Sequence, residues 1–178
     1  SDVYKRQVWS ILQGLGKMNG LTLKELGGEM LECARYGELE EMNNILDNYG
    51  VNVDYQDENG NTALHKSSAN GNLEVVNELL TRKASINKQN SNGNSPLHWA
   101  VTNRKKEVIR RLLTDERRPE EGGADVLLRN CLNKSVLTEA FNVNDEEILK
   151  LVLEHSSADK LEEEYSTHTA PNTPNLSL

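Results

Sequence analysis

The chain is poor in the residues that most often staple a fold or carry chemistry. Its 178 residues include two cysteines, one phenylalanine, two tryptophans and four histidines. Cys33 and Cys131 stand far apart and outside any Cys-x-x-Cys spacing, which argues against a disulfide framework and against a zinc site. No uninterrupted apolar run approaches the ~18 residues needed to cross a bilayer, so no transmembrane helix and no membrane partner are expected. Basic residues are outnumbered 20 to 28, for a formal net charge of -8. A chain of that charge gains little from a phosphate backbone, and nucleic acid is not an expected partner. The sparse, unpaired cysteines fit a reducing compartment, cytoplasmic and/or nuclear. What is abundant is asparagine, with 21 residues clustering between Asn52 and Asn103. Asparagine tolerates turn and left-handed conformations, so recurring tight turns are expected.

The two ends read differently from the middle. Residues 1–17 read as a foreign or flexible segment, although Tyr4, Val8, Ile11, Leu12 and Leu15 share one helical face. Gln13, Gly14 and Gly16 interrupt its resemblance to a signal peptide. A start at Met18 and a lead-in over 18–29 are expected, with Thr22 and Glu25 spaced as a capping box. Residues 159–178 are charged, then rich in Ser, Thr, Pro and Asn, the composition of a disordered tail.

Between these ends the sequence repeats. Asn61-Thr62-Ala63-Leu64-His65 recurs 33 residues later as Asn94-Ser95-Pro96-Leu97-His98. Gly60 matches Gly93, Glu74-Val75-Val76 matches Glu107-Val108-Ile109, and Leu79-Leu80 matches Leu112-Leu113. A weaker copy, Ser135-Val136-Leu137-Thr138-Glu139-Ala140, lies 40 residues after Ser95, and the seven extra residues fall within 114–122 as a loop insertion. Upstream, the stretch from Met30 to Gly37, with Met42, Ile45 and Leu46, reads as a degenerate opening unit. This period and the Thr/Ser-x-Leu-His box resemble the ankyrin repeat. The resemblance implies an all-α, ankyrin-repeat solenoid: stacked helix-turn-helix units joined by β-hairpin turns. Four units are expected over 30–158, at about 30–56, 57–89, 90–129 and 130–158.

Each repeated residue has an assigned task. Thr62 and Ser95 suit helix N-caps, and Pro96 suits a first helical turn. Leu64, Leu97 and Leu137 with Val75, Val76, Leu79, Leu80, Val108, Ile109, Leu112, Leu113, Ile148, Val152 and Leu153 form apolar stripes that one unit cannot bury alone. Gly71 ends a helix where a left-handed residue is favoured, and Arg104 and Asn144 at the matching places predict less tidy ends. His65 and His98 share no metal-ligand spacing with Cys, Asp or Glu. The resemblance implies that they tie successive hairpins together, and Thr138 in the fourth unit weakens the expected tie between the third and fourth.

The family resemblance also implies a concave groove of hairpin tips and inner helices. In this register the partner-binding residues are Glu58, Asn59, Asn61, Ala69 and Asn70 in the second unit, and Ser91, Asn92, Asn94, Trp99, Thr102 and Asn103 in the third. Gln56, Gln89 and Arg129 stand where hairpins begin. The strip is amide-rich and nearly uncharged, which suits a polypeptide better than phosphate. Seven of the 20 basic residues crowd 104–118, a run read as a solvated helix face. No nucleophile, base and orienting acid come together, so no enzyme, cofactor, catalytic residue or metal is expected. The leading reading is a non-catalytic protein-protein interaction module, an adaptor or scaffold, monomeric when unbound. The alternatives are a carrier of a basic client protein, or the targeting segment of a longer enzyme such as an ankyrin-methyltransferase fusion.

Overall fold

The computed structural model describes residues 21–114 and 123–155. Among them are eight helices: α1 (Leu23–Tyr36), α2 (Leu39–Tyr49), α3 (Ala63–Asn70), α4 (Leu73–Thr81), α5 (Pro96–Thr102), α6 (Lys106–Leu113), α7 (Val136–Val143) and α8 (Glu146–Glu154). They pair in order, α1 with α2 through α7 with α8. The first member of each pair packs on the first member of the next, and α4 packs on α6 and α6 on α8. Described residues hold no strand, only an isolated antiparallel bridge between Arg129 and Ser135.

The helices start where hydroxyls stand. Thr22 accepts from the Glu25 N–H at 3.2 Å while the Glu25 carboxylate accepts from the Thr22 N–H at 2.8 Å, a reciprocal capping box. Thr62 and Ser95 cap α3 and α5 in the same reciprocal way, with His65 and His98 in the place of the glutamate. Ser135 caps α7 by accepting from the Thr138 N–H at 3.1 Å.

The first helices of the pairs end in a left-handed residue, Gly37, Gly71, Arg104 or Asn144. The Arg104 end is as tidy as the glycine ends, contrary to expectation. Lys105 N–H donates to the Ala100 carbonyl at 2.9 Å, the same closure that Asn72 makes to Ser67 and Glu38 to Cys33. The Arg104 guanidinium offsets the left-handed strain by donating to the Val143 carbonyl at 2.8 Å.

The apolar stripes meet in one continuous core that runs through all four helix pairs, with Met30, Ile45, Leu64, Leu79, Leu97, Ile109, Leu112 and Ile148 fully buried. Leu153 departs from the expected pattern at 37% exposure. Its counterparts Leu80 and Leu113 are buried beneath the following pair, and no further pair is described beyond α8. Phe141, half exposed where Val101 and Ser68 are buried, has the same cause.

The insertion leaves the stack in register. Ala84 N–H donates to the Leu79 carbonyl at 2.9 Å, and after the seven extra residues Ala124 N–H donates to the matching Leu112 carbonyl, also at 2.9 Å. Gly123 permits this return, because a Cβ there would lie 2.0 Å from the Leu113 oxygen. Residues 115–122 lie outside the described residues, as do the expected N-terminal segment 1–17 and tail 159–178.

Candidate protein-interaction surface

Each hairpin is folded by one side chain near its start. Asp57 Oδ1 accepts from the N–H groups of Asn59 and Asn61 at 3.0 and 2.8 Å. Asn90 does the same for Asn92 and Asn94, both at 3.0 Å, and Asn130 for Leu132 and Lys134 at 3.0 and 3.1 Å. These are Asx turns, in which a short polar side chain replaces the partner the backbone would otherwise find in a sheet. Burial pushes the Asp57 carboxyl up, but the Asn61 donors and the Lys66 ammonium 3.0 Å away outweigh it and hold it below its usual range.

Four rows of hydrogen bonds then join one hairpin to the next. At the base, Asp54 accepts from the Ser85 N–H and Asn87 from the Asp125 N–H, both at 2.9 Å. In the middle, the Asn90 carboxamide donates to Asn61 Oδ1 at 2.8 Å and Asn130 donates to Asn94 Oδ1 at 2.9 Å. At the tips, Ser91 N–H reaches the Asn59 carbonyl at 3.0 Å and Cys131 N–H the Asn92 carbonyl at 2.9 Å. Along the side, the Gln56 carboxamide donates to the carbonyls of Gly60 and Gln89, and Gln89 to those of Gly93 and Arg129.

The two buried histidines complete this lattice. His65 Nδ1 accepts from the Thr62 N–H at 3.2 Å, which fixes the proton on Nε2, and Nε2 donates to the Asn94 carbonyl at 2.9 Å. His98 repeats the pattern with Ser95 and the Lys134 carbonyl, at 3.1 and 3.3 Å. The tie between the third and fourth units is therefore made by His98 of the third. Thr138 does not weaken it, because the imidazole at this position reaches forward, and Thr138 turns back to Ser135 Oγ at 3.0 Å. Burial pushes the His65 imidazole down to about 4 and lowers His98 in the same direction. Both are neutral structural donors at neutral pH.

The residues expected to meet a partner separate into two groups. Glu58, Asn59, Asn70, Ser91, Asn92, Thr102 and Asn103 are exposed, and Ala69 is half-buried. Asn61 is only 4% exposed and Asn94 half-buried, with their carboxamide oxygens occupied by the next hairpin. Gln89 and Arg129 stand in the side row, the first as donor and the second through its carbonyl. Trp99 is half-buried and meets the His65 ring edge-on, with ring centroids 6.3 Å apart.

Register in the structure adds positions that the sequence alone left unassigned. Arg35 and Tyr36 lie where α3 has Ala69 and Asn70, with the guanidinium 5.6 Å from the Tyr36 ring centroid. Cys131 and Leu132 lie where the third hairpin has Ser91 and Asn92, and Leu132 is 74% exposed. The degenerate opening unit and the insertion had hidden the correspondence.

The basic run pairs with neighbouring helices at the surface of the array. Lys106 pairs with Asp145 and Glu147 at 3.2 and 2.6 Å, and Arg110 pairs with Glu147 and with Glu107. Arg111 donates to Asn77 at 2.6 Å. These cations join α6 to its neighbours across a face that stays solvent-accessible, as the sequence reading expects. Arg117 and Arg118 lie outside the described residues. Among described residues no group of three His, Cys, Asp or Glu side chains is placed to hold a metal, and no helix is long and apolar enough to cross a membrane.

A family model for ankyrin repeats, in three copies, matches residues 30–121. The chain belongs to the ankyrin-repeat family. Its array is a protein-protein interaction fold without catalytic machinery of its own, and α7 with α8 follows the three matched ankyrin copies as a further helix pair. A 73-residue stretch of the chain is 37% identical to part of a protein named L-asparaginase from Dirofilaria immitis. That stretch is 41% of this chain and 12% of the relative's length.

Proposed function

We propose that this ankyrin array is an adaptor that binds an extended polypeptide along its hairpin tips and the adjoining ends of α3 and α5. The binding strip is Glu58, Asn59, Ala69, Asn70, Ser91, Asn92, Thr102 and Asn103, while Asn61, Asn94, Trp99, Gln89 and Arg129 hold it in shape. The observation that carries this reading is the contrast between neighbours two residues apart. Asn61 and Asn94 give their carboxamide oxygens to the stack, whereas the carboxamides of Asn59 and Asn92 face solvent over a backbone fixed by four rows of bonds. A pre-ordered row of donors and acceptors binds a main chain at low entropic cost. The cytoplasm and nucleus are the proposed compartments.

The test is partner capture by the chain beside a variant carrying Asn59→Arg, Asn92→Arg and Asn103→Arg. These positions are exposed, so the variant keeps the melting behaviour of the parent. A partner bound by the parent and lost by the variant supports the strip; equal capture by both removes it.

A second reading, supported by the segment shared with the protein named L-asparaginase, makes the array the targeting part of a longer enzyme-bearing chain. Assay of the complete natural polypeptide for release of ammonia from asparagine tests it directly. No release from that polypeptide would leave the adaptor reading alone.

A further inference from the structure

Three Asn–Gly pairs lie among the described residues, at positions that differ in how firmly the fold holds them. Asn59–Gly60 and Asn92–Gly93 form hairpin tips, and Asn70–Gly71 closes α3. We propose that Asn59 and Asn92 are sites of spontaneous deamidation in the folded protein, and that Asn70 is shielded. The proposal does not depend on the partner-binding reading.

The chemistry needs only water. The glycine main-chain nitrogen attacks Cγ of the preceding asparagine, the new N–Cγ bond closes a five-membered imide, and the Cγ–Nδ2 bond breaks. Nδ2 leaves as ammonia, taking the proton released by the glycine nitrogen. Water then opens the imide at either carbonyl, giving aspartate or isoaspartate. Glycine favours the closure because no Cβ hinders the approach.

At the tips the carboxamide is free to react. Asn59 and Asn92 are exposed and their carboxamides make no hydrogen bond to the described residues. The attacking nitrogens are each held by one turn bond, Gly60 to the Asp57 carbonyl at 2.9 Å and Gly93 to the Asn90 carbonyl at 2.8 Å. Reaction opens this exposed turn together with the tip-to-tip bond that the asparagine carbonyl accepts, without unwinding a helix.

Asn70 is held twice over. Its carboxamide donates to the Lys66 carbonyl at 2.9 Å, and the Gly71 nitrogen donates to the Ser67 carbonyl at 2.9 Å within the closure that Asn72 also joins. Reaction there requires the end of α3 to unwind. The fourth hairpin carries Leu132–Asn133 at the same place and has no reactive pair.

The products would alter the surface in two ways. Aspartate adds a negative charge to a strip of amides. Isoaspartate reroutes the main chain through the former side chain and displaces the carbonyl that accepts from Ser91 or Cys131, cutting the tip-to-tip bond.

The experiment incubates the full chain in heavy-oxygen water at mildly alkaline pH, folded and in urea, and maps the peptides by mass spectrometry. In the folded protein the Asn59 and Asn92 peptides gain the label as a mixture of aspartate and isoaspartate while the Asn70 peptide does not; in urea all three gain it. An Asn59→Gln, Asn92→Gln variant loses the tip signal. Label at Asn70 as fast as at the tips in the folded protein overturns the proposal, and so do tips that stay unlabelled while folded.

Discussion

His65 Nε2 donates to the main-chain oxygen of Asn94 at 2.9 Å, although 29 residues separate them. One ring therefore caps the helix of its own unit through Nδ1 and fastens the next hairpin through Nε2. Replacing it removes both bonds at once. His65→Ala strands the Thr62 N–H in a buried site, at about 1–3 kcal/mol, and takes from the Asn94 carbonyl one of its two donors, leaving it the Asn90 N–H at 3.0 Å. Thr138→Ala, which loses only a bond within its own unit, costs less. Urea unfolding of the two variants compares them, and equal losses would remove the forward tie from the account.

The same histidine makes stability depend on pH in a defined window. Its imidazole fits the fold in the neutral form, held down to about 4 by burial against an ordinary 6.5. Between these values the unfolded chain binds a proton that the folded chain does not. Stability from this group is complete above pH 6.5, declines as pH falls toward 4, and loses no more below that. The whole span is worth roughly 3 kcal/mol. His98 acts in the same direction. Asp57, depressed from an ordinary 3.8, contributes above that value and is lost only at lower pH, so the windows separate. Unfolding free energies of the parent and of His65→Asn between pH 7 and 4 check this: the parent slopes more steeply, and parallel curves would contradict it.

Leu79 is fully buried in α4 where the second and third helix pairs meet. Leu79→Ala is expected to cost about 2–5 kcal/mol, since the cavity lies in a shared interface that cannot collapse without moving two units. Differential scanning calorimetry reads the loss, and an unchanged melt would displace Leu79 from the core.

Glycines at two left-handed positions should respond differently. A Cβ on Gly93, at φ +73°, would meet the Cys131 nitrogen at 2.8 Å and Asn130 Cα at 2.9 Å. A Cβ on Gly50, at φ +64°, meets nothing within 4 Å. Gly50→Ala therefore carries only the backbone penalty of roughly 1–2 kcal/mol. Gly93→Ala adds displacement of the neighbouring hairpin. Chemical denaturation of both separates the two contributions.

Much of this is legible in the sequence alone. The period placed Thr62, Ser95 and Pro96 at helix starts and Leu79 and Leu112 in the core, because a repeated pattern reports a repeated environment. Less legible was the role of each asparagine. Asn59 and Asn61 are chemically identical and two residues apart, yet only Asn61 turns inward, and that choice is made by Asp57 and by Asn90 of the next unit. The pairing of the basic run of 104–111 is not legible, because its acidic partners Asp145 and Glu147 are distant in sequence. Leu153 matched the core pattern but sits at the end of the described stack, where periodicity carries no information about what lies beyond.

The bond from Ala124 N–H to the Leu112 carbonyl fixes both ends of the insertion. Chain length between those anchors is decoupled from the geometry of the lattice, and doubling such a loop costs only about 0.6 kcal/mol of closure entropy. The junction after Leu113 is thus a port at which peptide tags, reporters or whole domains can be spliced in while the neighbouring repeats keep their spacing.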